Sequence, residues 1–310
     1  MLAKLVEEPF DSQDWIFEPK LDGERAVAII DRDKISMVSR NQKEIAFRYP
    51  EIISDLKKAI RVKQATLDGE ICVLDKNGIP RFQLLQNRIG LENEKDIIEK
   101  AKEFPAIYFI FDILKADGKN LEKLSLLERK KILNEKIKSV GHIKVVDFIE
   151  KKGKAFFAAA KKTGLEGIIA KRKNSFYLEG SRTDEWQKIK ATNSQEVVIA
   201  GYTKGQGSRA GRFGALILGL YKGNDLVFVG HTGTGFNEKM LGEIYKKLKK
   251  IEVNVSPFKE KPKLKNPHFV RPELVAQIKF AEWTADNKMR VPVFLGFRDD
   301  KKPKECRFEK

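Results

Sequence analysis

The segment Glu18-Pro19-Lys20-Leu21-Asp22-Gly23-Glu24-Arg25 crowds a lysine with acids, a glycine and an arginine, and it is the first place to look for chemistry. A lysine amine attacks an electrophile only when unprotonated, and neighbouring cations or a desolvated pocket lower its pKa toward neutrality. Lys20 is therefore a candidate nucleophile, although the same residues would also suit a strand running into a turn. Three further segments set carboxylates at the ends of apolar runs: Leu67-Asp68-Gly69-Glu70, Phe109-Ile110-Phe111-Asp112 and Glu166-Gly167-Ile168-Ile169-Ala170-Lys171. Mg²⁺ is held by one or two protein carboxylates together with substrate phosphates, so pairs drawn from these acids could bind it. Asp68-Gly69 alone is a turn signal, and Glu166 alone could follow a helix stop. In Trp186-Gln187-Lys188-Ile189-Lys190, strand alternation places Lys188 and Lys190 on one face, aimed at a triphosphate or at solvent.

These residues need elements to hold them. From about Trp15 to Lys190, β-rich runs alternate with helical ones. Strands are expected at 25–30, 35–39, 65–74, 107–114 and 167–172. Helices are expected at 50–60, from Ser125, where Ser125-Leu126-Leu127-Glu128 spells a capping box, and at 154–163 with Gly164 as the stop. After Asn193 the runs become strand-like, at 196–203, 215–221, 226–232, 277–283 and 291–297. One helix near 237–250 carries Met240, Leu241, Ile244, Tyr245 and Leu248 on one face. Five strands and one helix fit a small OB-type Greek-key barrel, with an SH3-like barrel as the nearest competitor. The proline- and lysine-punctuated stretch Ser256 to Pro272 reads as an extended basic connection. The domain boundary falls in Ala191-Thr192-Asn193-Ser194, giving domains 1–192 and 193–310.

The 310 residues suffice for about two self-sufficient cores. With 41% hydrophobic and 34% charged residues and no long apolar run, the composition excludes a disordered tail and a helical membrane protein. Glu7, Glu8 and Pro9 stand where a secretory signal would be apolar, which points to the cytoplasm. Two cysteines, Cys72 and Cys306, with His142, His231 and His268 near neither, exclude a disulfide scaffold and a zinc finger. Sixty-one Lys and Arg against 44 Asp and Glu leave +17, which suits a polyphosphate partner and equally a lysine-rich, thermophile-like surface. The loop Lys204 to Gly214, with four glycines and the cations Lys204, Arg209 and Arg212, reads either as a DNA-phosphate grip through Arg209 and Arg212 or as a flexible hairpin loop.

Taken in order, Lys-Leu-Asp-Gly-Glu-Arg, Leu-Asp-Gly-Glu, Phe-Asp, Glu-Gly-Ile-Ile-Ala-Lys and Trp-Gln-Lys-Ile-Lys resemble the covalent nucleotidyltransferases, specifically ATP-dependent DNA ligases. Phe297-Arg298-Asp299-Asp300-Lys301 is similar to the motif that ends their OB domain. Val275 to Thr284, Arg290-x-Pro292 and Arg81 to Arg88 are most similar to the ligase domain of bacterial and archaeal end-joining ligases, the ligase D group. Gln277 stands where that group is expected to carry an acid, and Asn287 where a glycine is common.

The resemblance implies an α+β chain: an ATP-grasp-like nucleotidyltransferase domain of antiparallel sheets and helices, then an OB-fold barrel. It implies that Lys20 attacks ATP to form lysyl-AMP, with Asp22 orienting it. Glu70 and Glu166 would hold Mg²⁺ or Mn²⁺, with Lys188 and Lys190 on the phosphates. Phe111 would stack on adenine and Glu18 would accept from its amino group. Arg25 and Arg40 would hold the 5′-phosphate of a nick. Arg298, Asp300 and Lys301 would orient pyrophosphate once the second domain closes, hinged after Lys190. The implied partners are nicked or broken duplex DNA, a Ku-type end-binding protein and separate repair polymerase or nuclease polypeptides. The expectation is a minimal, stand-alone monomer at the prokaryotic nucleoid. An RNA ligase, a GTP-using capping guanylyltransferase and a catalytically silent nucleic-acid binder are the alternatives.

Overall fold

The computed structural model describes residues 1–308, so Glu309 and Lys310 of the expected second domain lie outside the described residues. The chain divides into two compact units, Met1–Thr192 and a second beginning at Asn193.

Two sheets organise the first unit. One has five strands in the order Leu2–Leu5, Arg182–Lys190, Gly167–Arg172, Ser12–Pro19 and Ile149–Lys151. The other runs Lys34–Ser39, Glu24–Asp31, Gln64–Val73, Ala106–Ala116 and Lys119–Asn120, with Ile143–Val145 added in parallel to Ala106–Ala116. Alternation decides which face each sheet buries. Ala26, Ala28, Leu67, Ile71, Tyr108 and Ile110 point to one side of the six-stranded sheet, where they form a dry core with Ile52 and Leu56 of the helix Pro50–Ala59 and Leu133 of Leu126–Lys136. On the five-stranded sheet, Trp15, Phe17, Ile168, Ala170 and Ile189 pack on Phe156, Phe157 and Ala160 of Gly153–Thr163.

Local signals explain several boundaries. The Ser125 side chain accepts from the Glu128 amide and Glu128 reaches back to the Ser125 amide, completing the capping box that starts Leu126–Lys136. Gly164, at φ 82°, ends Gly153–Thr163 in the left-handed conformation that a side chain would disfavour.

In the second unit, Asp225–Thr232, Phe213–Lys222, Ser194–Lys204 and Pro267–Lys279 lie side by side, with Glu252–Val253 and Val293–Phe297 both paired to Pro267–Lys279. The ring closes where the Met289 amide donates to Val229 O (2.8 Å) and the Phe294 amide to Thr234 O (3.0 Å). The helix Glu238–Lys250 caps it through Leu241, Ile244 and Leu248. This is the expected OB-type barrel, with the two-residue Glu252–Val253 as a sixth strand beyond the five read from the sequence.

One expectation fails here. Ser256 to Pro272 is not all connection, because the strand Pro267–Lys279 begins inside it and ends before Trp283. Its two prolines argue for a loop, yet both sit where the ladder tolerates them. Pro267 is the first strand residue, and Pro272 lies in the irregularity where Ser194–Lys204 passes from the Ile199–Leu274 pair to the Gly201–Phe269 pair. No helix among the described residues is long and apolar enough to cross a membrane.

Candidate active site

The face of the five-stranded sheet opposite the apolar core is charged. Register places Ile16, Lys171 and Trp186 in one row, Glu18, Ile169 and Lys188 in the next, and Gly167 beside Lys190 in a third. Lys20 extends that face, since its amide donates to Gly167 O (3.0 Å) just beyond the end of Ser12–Pro19. Five of the expected residues or their neighbours, Glu18, Lys20, Lys171, Lys188 and Lys190, thus share one side of three adjacent strands. Gly167 is required there. A Cβ on it would lie 2.0 Å from Ile189 O, so no other residue could directly follow Glu166 while leaving the strands paired.

Lys20 Nζ is ion-paired and hydrogen-bonded to Glu166 Oε2, with 18% and 11% of the two side chains exposed. Burial works to lower the Lys20 pKa, but Glu166, supported by Asp22 and Glu70, overrides it and holds the ammonium above its ordinary value. The free structure therefore keeps Lys20 protonated. Asp22 also braces the backbone: its Oδ2 accepts from the Phe82 amide (3.2 Å), tying the Lys20 turn to the short helix Phe82–Leu85. Arg81, next in sequence, reaches both Asp75 Oδ2 (2.9 Å) and Gly164 O (3.1 Å), close to Glu166 in the chain. Among the described residues, no three His, Cys, Asp or Glu side chains form a metal cage. Glu70 and Glu166, which both act on Lys20, make a two-carboxylate set. That donor set fits a hard cation that takes its remaining oxygens from phosphate and water.

Arg25 is held differently from the expected phosphate clamp. Its guanidinium makes a two-pronged contact to the fully buried Asp68 (Nε to Oδ1 3.0 Å, Nη2 to Oδ2 2.6 Å) and donates to Met1 O. Tyr177 donates its hydroxyl to the same Asp68 oxygen at 2.8 Å. A fork closed on a buried carboxylate is a fixed piece of wall, so Arg25 meets a ligand only with whatever edge this pairing leaves over. Arg40 sits one step beyond the Ala26–Ser39 pair, in the turn that follows Lys34–Ser39.

Phe111 packs edge-on against Trp186, and Lys171 Nζ lies 4.3 Å from the Phe111 centroid and 4.0 Å from that of Trp186. Lys171 also pairs with Glu18 Oε2 at 2.7 Å, and Lys130, from Leu126–Lys136, pairs with Glu18 Oε1. Burial opposes the Glu18 charge, but the two lysines outweigh it and hold the carboxyl below its usual range. Burial brings Lys171 down to about 8 against the pull of Glu18. Lys130 and Tyr177 fall in no sequence motif, Lys171 closes one without a role, and Asp68, a candidate cation ligand by sequence, is instead the partner of Arg25. Alternation from Glu18 and Ile169 could have found Lys171, whereas nothing local marks Lys130 or Tyr177.

In the second unit, Arg298 grips Asp300 with both prongs (2.8 and 2.7 Å), and Lys301 Nζ lies 3.3 Å from Glu196 Oε1. Burial raises the Asp300 carboxyl, Arg298 more than reverses this, and the net direction is down. Gln277, which stands where an acid is expected, lies opposite Glu196 and offers Oε1 to Arg298 Nη1 at 3.5 Å. The three expected residues therefore cluster, with Glu196 as an unforeseen fourth. The loop cations part company. Arg209 spends its Nη1 on the carbonyls of Gly214 (3.0 Å) and Gly233 (2.8 Å), tying the loop to the segment after Asp225–Thr232, while Arg212 pairs with the exposed Glu238.

Residues 1–190 match the family model of the ATP dependent DNA ligase domain, and residues 209–301 match that of the ATP dependent DNA ligase C terminal region. The chain is 35% identical over 303 residues to the multifunctional non-homologous end joining protein LigD of Mycolicibacterium smegmatis, covering 97% of this chain and 38% of that protein. It is 31% identical over 304 residues to a DNA ligase of Thermococcus fumicolans, covering 94% of this chain and 53% of the relative. It thus spans between 38% and 53% of these two relatives' lengths. A solved structure of mycobacterial DNA ligase D complexed with ATP and MES superposes with a TM-score of 0.70 at 31% identity, covering 100% of this chain and 97% of that one.

Proposed function

The chain belongs to the ATP-dependent DNA ligases, and from that premise we propose how its own residues seal a strand. The Lys20 amine attacks the α-phosphorus of ATP. A nitrogen–phosphorus bond forms, the bond to the bridging oxygen breaks, and pyrophosphate leaves. A 5′-phosphate oxygen of broken DNA then attacks the same phosphorus and releases the lysine. Finally the 3′-hydroxyl attacks the 5′-phosphorus, and AMP departs as the backbone bond forms.

The observation that carries this reading is the Lys20–Glu166 pair at the end of a charged sheet face. Phosphoryl transfer needs positioning and charge neutralisation more than covalent help. Lys188 and Lys190, in successive rows beside Lys20, supply cations for the phosphates. Glu166 Oε2 accepts the Lys20 proton's hydrogen bond, so negative charge must be drawn off Glu166 before the amine becomes nucleophilic. Mg²⁺ or Mn²⁺ held by Glu70 and Glu166 would supply that neutralisation together with charge on the triphosphate. Phe111 offers a ring to the adenine and Glu18 an acceptor for its amino group. Arg298 and Lys301 serve the departing pyrophosphate, with Asp300 holding Arg298. Arg40 and Arg212 contact DNA phosphates, Arg25 adds only the one Nη1 hydrogen that Asp68, Tyr177 and Met1 O leave over, and Arg209 shapes its loop.

The end-joining name of the relative supports a role in joining double-strand breaks, and we extend this to the nucleoid, beside a Ku-type end-binding protein and separate repair polymerase or nuclease polypeptides. A sealing assay tests the sequence of steps. Lys20→Ala should fail on a plain nick supplied with ATP yet close a nick whose 5′ end already carries AMP. Equal failure on both substrates would refute the assignment of Lys20 to the first step.

A further inference from the structure

Outside the Lys20 pair, the most heavily charged buried place among the described residues is the triad Lys130–Glu18–Lys171, each 2% exposed. One carboxylate faces two ammonium groups, and Glu18 Oε1, Lys130 Nζ and Lys171 Nζ have ion partners but no aligned hydrogen bond. These three charges meet away from solvent, with Lys171 Nζ also against the Phe111 and Trp186 rings. A single lysine would have neutralised Glu18. The second must do something a neutral pair does not.

We propose that Lys130 is a positioning residue for nucleobase selection: by gripping Oε1 while Lys171 grips Oε2, it locks the Glu18 carboxylate as an ionised acceptor in one orientation. The inference rests on the reading of Glu18 as partner of the adenine amino group. A carboxylate with both oxygens drawn by cations cannot be protonated at neutral pH, so it has no proton to offer. Adenine presents an amino donor at the position where guanine presents a carbonyl, and only a protonated carboxyl could satisfy that carbonyl. Rejection is strong where a buried acceptor would be left unmatched. Lys130 reaches Glu18 from a helix 112 positions along the chain, so Lys171, on the adjacent strand, is left to bridge Glu18 and the two rings.

Lys130→Met is suited to the test, because it leaves the Glu18–Lys171 pair with no net charge rather than an orphaned ion. Self-adenylation of the full chain would be followed with ATP and with GTP for the parent, Lys130→Met, Lys130→Arg and Glu18→Gln, with thermal melts to confirm folding. The expected result is that Lys130→Met lowers the ATP-over-GTP ratio of kcat/KM at least about tenfold. The loss should fall mainly on the KM for ATP, and Lys130→Arg should restore the ratio. If Glu18→Gln lowers the ratio while Lys130→Met does not, Lys130 has no part in selection and the proposal is overturned. If Glu18→Gln leaves the ratio intact, the reading of Glu18 itself fails, and the proposal falls with it by a separately visible route.

Discussion

Lys20–Glu166 in the first unit and Arg298–Asp300 in the second are both shielded pairs of one cation and one carboxylate, built to opposite ends. The first joins a point charge to one oxygen. The second closes a planar fork on both oxygens, at 2.8 and 2.7 Å, with the Asp300 side chain 3% exposed. An ammonium held at one point can be released when the charge around it is redistributed, whereas a two-pronged pair resists rotation and separation. The contrast implies that the first pair comes apart during the reaction and the second stays whole.

The sharpest way to break that contrast is Glu166→Gln. Removing the charge that keeps Lys20 protonated should move the pH profile of self-adenylation toward acid, because the amine then loses its proton at lower pH. The maximal rate should nonetheless fall by about a hundredfold or more, since the proposed cation site would lose one of its two carboxylates. A profile that stayed in place would mean Glu166 does not govern the amine. Arg298→Lys comes next. A lysine keeps the charge but cannot form the fork, so adenylation should slow by about tenfold; an unchanged rate would show that charge alone suffices there.

The Asp300 pair also carries a pH signature. Its carboxyl is depressed in the folded state, so the stability it contributes is present above its unfolded pKa, about 4, and is lost as pH falls through the folded value. Asp300→Asn should therefore flatten the loss of stability below about pH 4, read by thermal melts across an acid series; melts parallel to the parent would contradict this. The smallest effect belongs to the loop. Arg212→Ala should reduce the salt slope of nick binding by about one, whereas Arg209→Ala should act through loop order, visible as faster proteolysis between Lys204 and Gly214.

Elements with strong local signals are legible in the sequence. The Ser125–Glu128 capping box, Pro50 in a first helical turn and Gly164 as a stop mark helix ends that the structure has. The strands at 25–30, 35–39 and 167–172 are readable because alternating or apolar β-branched runs have few other uses. Ser12–Pro19 is harder, since its outer half is polar and exposed and its inner half is buried on both faces. Pro267–Lys279 is hidden by prolines that the bulge absorbs.

The site divides the same way. Lys20, Glu70, Glu166, Lys188 and Lys190 come from compact motifs, and the order of those motifs, through its resemblance to the ligases, puts them forward. Lys130 belongs to Arg129-Lys130-Lys131, which looks like any solvated basic helix face, and only the packing of Leu126–Lys136 against the sheets buries it. Asp68 looks like half of a turn, yet it sits mid-strand with Arg25 and Tyr177 on it. Burial of a charge is a tertiary fact, and a single sequence carries little trace of it.

The central claim is that Lys20 becomes bonded to adenylate before any strand is closed. Incubation with ATP and Mg²⁺, followed by peptide mass mapping under conditions that spare the acid-labile nitrogen–phosphorus bond, addresses it most directly. The account predicts one adenylyl group, carried by the peptide that contains Lys20 and absent from Lys20→Ala. Adenylate on another lysine, or none on a protein that still seals nicks with ATP, would contradict it.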